Sequence, residues 1–109
     1  MSLPRIVDAL AVAVPHDGEL DVVDGTPAAG VVELGSFGDV EIGIWEITPG
    51  VVRDVEADEV FVVLSGEGTV RFSSDGETIS LRPGSVVRLY AGEQTEWEIR
   101  SPLRKIYLA

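Results

Sequence analysis

The sequence predicts an all-β fold, a single small antiparallel β-barrel, and three observations carry that prediction. From about residue 30 onward, short Val- and Ile-rich runs alternate with turns built from Gly, Pro and Asp. No window sustains the ~3.6-residue period of an amphipathic helix. The 109 residues, 45% hydrophobic and 25% charged, fit one packed domain and argue against intrinsic disorder.

The elements follow from the punctuation. Strands are expected near Val31–Leu34, Val40–Ile47, Val51–Val55, Glu59–Leu64, Gly68–Ser73, Thr78–Leu81, Val86–Tyr90, Thr95–Ile99 and Leu103–Leu108. Between them stand Thr48-Pro49-Gly50, Ser65-Gly66-Glu67-Gly68, Asp75-Gly76, Arg82-Pro83-Gly84 and Ala91-Gly92, all rich in turn residues. Many short strands at even spacing close into a barrel or a sandwich. Residues 1–30 carry less signal and read as an N-terminal arm or edge strand, with 31–109 forming the barrel. The only histidine, His16, sits in a Pro15-His16-Asp17-Gly18 turn and is expected to face solvent.

Successive strand side chains point to opposite faces, so alternation assigns several of them. Trp97 shares an inward face with Thr95 and Ile99, opposite Glu96, Glu98 and Arg100. Val70 and Phe72 oppose the wetter Thr69, Arg71 and Ser73. The run Val60-Phe61-Val62-Val63-Leu64 is apolar on both faces, which fits a strand covered on its outer side by a partner. A homodimer through Val60, Val62 and Leu64, or through the N-terminal arm, is therefore expected. On the last strand, alternation alone turns Ile106 and Leu108 inward and Lys105 and Tyr107 outward.

Charge narrows the partners. Nineteen acidic against eight basic residues give a net charge of -11, a poor match for nucleic acid or an anionic membrane. An anionic small molecule is not excluded, because a recessed basic residue can set the local field. The chain has no cysteine, which removes disulfide scaffolds, thiolate zinc sites and thiol nucleophiles, and fits a reducing cytoplasm. No apolar run approaches a membrane span. The stretch from Ala9 to Val14 reads as a strand or arm, not a signal peptide.

One spacing is more specific. Gly84, Tyr90, Gly92, Thr95 and Ile99 stand at the intervals of the pattern G-x5-P-x-G-x2-H-x3-N, and Glu59 precedes Gly66 as a carboxylate before a glycine turn. These positions resemble the two motifs of the cupin superfamily, whose fold is a jelly-roll barrel. The stretch Gly43–Gly50 and the close from Trp97 to Tyr107 resemble one subfamily of single-domain cupins without an assigned function. That subfamily is similar to the barrels of ureidoglycine aminohydrolases and of the ethanolamine-utilisation protein Q. The resemblance spans roughly residues 40 to 109.

The departures from the family pattern are chemical. Metal-binding cupins place an H-x-H pair before the Glu and a third His in the second motif. Here the pair falls on Arg53 and Val55, or on Val52 and Asp54 in the other register, and Thr95 takes the third position. Oxygen-activating metals want imidazole ligands, so no metal or other cofactor is expected. A hard ion held by Glu59, Asp54 and waters is the residual alternative.

The candidate site is read around Glu59, the surviving carboxylate and a candidate general acid or base. Phe61 shares its face, Thr95 and Trp97 line a second strand, and Trp45 stands on a third. For both tryptophans, plain core packing competes with pocket lining. The resemblance adds Lys105 to the site, with Tyr107 beside it, against the parity argument above. Arg53 is a second source of positive charge. Such residues suit a small polar or anionic metabolite bound without a transition metal. The alternatives are a metal-independent hydrolase, isomerase or lyase working through Glu59, and a barrel that serves only as an oligomerisation unit.

Overall fold

The computed structural model describes residues 1–109 and contains eight strands and no helix. These are β1 (Asp21–Asp24), β2 (Ala29–Phe37), β3 (Val40–Ile47), β4 (Gly50–Val55), β5 (Glu59–Phe72), β6 (Thr78–Leu81), β7 (Val86–Leu89) and β8 (Gln94–Leu108). All strand pairs are antiparallel. β5 and β8 form the backbone of the architecture, paired along nearly their whole length from Val60 opposite Leu108 to Phe72 opposite Thr95. The first half of β8 also pairs with β4, and the second half of β5 with β6. The second half of β8 pairs with β3, and the first half of β5 with β7. One long bent ribbon thus belongs to two sheets, β1-β4-β8-β5-β6 and β2-β3-β8-β5-β7. The result is an all-β jelly roll curled into a half-barrel.

The bend corrects the expected strand list. Glu59–Leu64 and Gly68–Ser73 are one strand, as are Thr95–Ile99 and Leu103–Leu108. The Ser65-Gly66-Glu67-Gly68 stretch is not a turn. The ladder continues through it with register shifts between Val63, Ser65, Glu67 and Gly68, which is how bulges bend a sheet. Gly66 takes φ +92°, and a β-carbon there would run into the carbonyl of Pro102 on the facing strand. Glycine composition marked this position correctly as special, but the same composition serves turns and bends alike.

Both sheets supply one core: Ile47, Val52, Phe61, Val63, Val70, Leu81, Leu89, Trp97, Ile99 and Leu103 are all buried. The apolar parity predicted for Val70, Trp97 and Ile99 holds. On the last strand it does not. Lys105 faces the concave side and is buried, with Tyr107 half-buried on the same face, while Ile106 is only half-buried and Leu108 is exposed. Ile106 and Leu108 instead join Leu34 and Ile42 in an outer groove shared with Leu3, Val7 and Ala9 of the N-terminal arm. That arm explains why an outward-facing strand could be so apolar.

The arm is pinned along its length. Leu3 donates to the Ser36 carbonyl at 3.0 Å, Gly18 donates to Ala29 at 2.9 Å, and the Arg104 guanidinium donates to the Ala9 carbonyl at 2.9 Å. His16 is exposed, as expected, and also pairs with a neighbour: its Nε2 lies 2.7 Å from Glu46 Oε1, and Arg104 Nε holds Glu46 Oε2 at 2.7 Å. Burial raises the Glu46 carboxyl, but the hydrogen bonds from His16 and Arg104 outweigh it and leave the group below its ordinary range.

Candidate functional site

The concave face of the half-barrel opens into a cleft of about 960 Å³. Strand register sets its floor. Across the sheet, Trp45 pairs with Lys105 and Lys105 with Val63, while Gly43 pairs with Tyr107 and Tyr107 with Phe61. Gly43 has no side chain because the Tyr107 ring lies where its β-carbon would be. Tyr107 is therefore folded against the floor, with its phenol at the cavity wall. Burial pushes the Tyr107 phenol upward, and Glu33, Glu41 and Glu59 add to the shift.

Lys105 is the centre of the floor. Its Nζ donates to Glu59 Oε2 at 2.6 Å, and both side chains are largely buried. Three rings surround the same ammonium, with centroids at 4.2 Å for Phe61, 4.9 Å for Trp45 and 5.0 Å for Trp97. The rings also pack against one another: the Trp97 centroid lies 5.6 Å from Phe61 and 5.6 Å from Trp45, with the planes tilted at 35° and 59°. Each ring presents its negative face to the cation, so the cage and the carboxylate jointly make a buried charge tolerable.

A second polar unit stands beside the first. Glu56, in the loop after β4, is 8% exposed. The Thr95 hydroxyl donates to its Oε2 at 2.6 Å, and Trp97 Nε1–H donates to the same oxygen at 3.1 Å and to Thr95 Oγ1 at 3.0 Å. Burial raises the Glu56 carboxyl above its ordinary range; the Thr95 bond opposes that shift and nearby Asp54 reinforces it. Asp54 at the mouth is raised as well, by partial loss of water. The loop itself is held by the backbone: Glu56 N donates to Glu93 O and Gly92 N donates to Glu56 O, both at 2.8 Å.

Most of the residues expected at the site converge here. Glu59, Trp45, Thr95, Trp97, Lys105 and Tyr107 line the cleft. Phe61 lies beneath it, wholly buried, and reaches the site through the Lys105 ammonium and the Trp97 ring. Arg53 stands at the rim with its side chain 62% exposed, and its guanidinium leans toward Glu96 at 3.5 Å, not toward Glu59. For Trp97, lining and packing coincide, since the ring is buried while its N–H bonds at the cavity wall. Glu56 was not among the expected residues. It lies in a loop, where strand parity says nothing, inside an acidic run from Asp54 to Glu59 in which composition does not single it out.

The residues do not fit a transition metal. Thr95 is committed to Glu56, Val52 is packed in the core, and no three His, Cys, Asp or Glu side chains converge on a common point. The donor set is carboxylate, ammonium, hydroxyl and indole, without the imidazole such metals require.

Comparison with known proteins places this geometry in a family. Residues 34–107 match the model of the EutQ-like cupin domain, about two thirds of the chain. The chain belongs to the EutQ-like cupin family. Its fold resembles the Clostridium difficile EutQ protein, at TM-score 0.76 and 18% identity over 94% of this chain and 83% of that one. A putative ethanolamine utilization protein Q from Salmonella typhimurium aligns at TM-score 0.64 and 26% identity, covering 75% of this cupin and 68% of that chain. A Rhizobium leguminosarum protein of unknown function aligns equally well, at 0.64 and 26%, covering 73% and 78%. No curated protein sequence matches the chain.

Proposed function

We propose that this cupin binds a small polar metabolite in its open cleft, without a transition metal and in a reducing cytoplasm. The cleft carries the reading: about 960 Å³ walled by Trp45, Trp97 and Tyr107, with polar heads held rigidly at Glu56, Thr95 and Lys105. Aromatic walls with a few fixed polar groups are what small-molecule sites are made of. A binding role for Glu59 is favoured over proton transfer, because its carboxylate is already engaged by Lys105 at 2.6 Å. The same pairing weakens the anionic half of the expectation, since the recessed cation is spoken for.

Both tryptophans of the chain stand at this site, so intrinsic fluorescence reports on it directly. A gently purified sample examined by native mass spectrometry, followed by fluorescence titration with a metabolite panel, is the test. A bound small mass, or saturable quenching that Trp45→Phe alters, is expected. A clean apo spectrum together with no response to any compound would refute binding.

The reading includes a homodimer. Val60, Val62 and Leu64 remain only half-buried on the outer face of β5, and Val86, paired with Val62, is 69% exposed. Leaving such a face in water costs about 25 cal/mol per Å².

A further inference from the structure

The charges lining the cleft are unequal, and the pairing within the chain leaves the surplus on one sign. Its two cations are both engaged: Lys105 with Glu59 at 2.6 Å, and Arg53 with Glu96 at 3.5 Å on the outer side. Four lining carboxylates, Glu19, Asp21, Asp54 and Glu56, form no ion pair.

Glu56 points to what is missing. Both of its donors, the Thr95 hydroxyl and the Trp97 indole, sit on Oε2. Oε1 has no hydrogen-bond partner, although the residue is only 8% exposed. Every fully enclosed polar side-chain atom of the chain is satisfied, so Oε1 is not sealed in, and Glu56 lines the cleft. An oriented carboxylate oxygen thus faces the cavity without a donor, beside indole rings and in a negative field. A buried carboxylate lacking a cation is costly, and a ligand that supplies one relieves that cost. The aromatic walls favour the same kind of ligand, as they already do for Lys105.

We propose that the ligand is a small organic cation, a metabolite bearing a protonated amine, whose ammonium group donates to Glu56 Oε1 while its carbon skeleton lies against Trp45 and Trp97. This rests on the small-molecule reading above and specifies its ligand class. Asp54 at the mouth draws the cation in, and the net charge of -11 gathers cations around the whole molecule.

The test is a fluorescence titration of the full chain at low salt with three four-carbon probes, 1,4-diaminobutane, 1,4-butanediol and succinate, and a longer amine, spermidine. The two amines are expected to saturate at concentrations at least about tenfold below the diol, with succinate weakest. Glu56→Gln keeps an acceptor for Thr95 and Trp97 but removes the charge, and is expected to weaken the amines about tenfold without changing the diol. Asp54→Asn, at the solvated mouth, is expected to weaken them severalfold and serves if Glu56→Gln fails to fold. Tighter binding of succinate or the diol would overturn the amine assignment and leave small-molecule binding standing. Amine binding unmoved by either substitution would reduce it to the acidic surface and overturn the proposal. No saturation by any probe, with no bound mass in native spectra, would sink both readings.

Discussion

Replacing Lys105 by Met is expected to cost more stability than replacing its partner Glu59 by Gln. The ammonium and carboxylate stand 2.6 Å apart, with side chains 7% and 17% exposed. Removing one member of a buried pair strands the other, at about 3–5 kcal/mol. Glu59 borders the open cleft, where water reaches it, so the low end applies to Lys105→Met, about 3 kcal/mol. At roughly 4–8 °C per kcal/mol for a domain of this size, that is a fall of about 12–24 °C in melting temperature. Glu59→Gln strands Lys105 instead, but three aromatic rings at 4.2–5.0 Å remain, as do Asp54 and Glu56 nearby. With cation–π contacts worth about 0.5–2 kcal/mol each, that loss should stay near 1–2 kcal/mol. The double substitution leaves no stranded charge and is expected to be more stable than Lys105→Met alone. Urea denaturation followed by fluorescence measures all four proteins as a double-mutant cycle. A Glu59→Gln protein as unstable as Lys105→Met, or a double variant no better than Lys105→Met, would refute the caged-pair reasoning.

Glu56 gives a pH signature of opposite sign to an ordinary salt-bridged carboxylate. Its carboxyl is raised in the folded chain, so above the ordinary value the native state keeps a proton the unfolded chain has released, and stability falls as pH rises through that window. Glu56→Gln should therefore melt close to the parent in acid and above it at alkaline pH, measured by thermal scans across pH; a gap that shrinks as pH rises would contradict the assignment. At the bend, Gly66→Ala places a side chain at φ +92° against Pro102 and should cost at least about 3 kcal/mol in chemical denaturation. A loss under ~1 kcal/mol there would mean the ribbon bends elsewhere. Light scattering at micromolar concentration should give twice the chain mass, falling to one for a well-folded Val86→Glu; a monomeric parent would end the dimer proposal.

What the sequence by itself determined is the class of fold and most of the inward faces. Strand and turn chemistry are local, and period-two alternation alone is enough to turn Thr95, Trp97 and Ile99 inward. The cupin spacing carried the family and drew Lys105 into the site. Parity failed on that last strand because it equates apolar with inward, whereas Ile106 and Leu108 lie over a groove shared with an arm a hundred residues away. The merging of four expected strands into β5 and β8 was also beyond local reading, since a glycine-rich stretch becomes a bend only when a facing strand continues the ladder across it. The engagement of each charge was decided by tertiary structure alone. Lys105 meets Glu59 across 46 residues, Arg53 turns away to Glu96, and Glu56 acquires Thr95 and Trp97 as donors across 39 and 41 residues. Sequence patterns assign a side chain to a face, but whether a charge is paired depends on which side chains the closed sheet brings within hydrogen-bond reach.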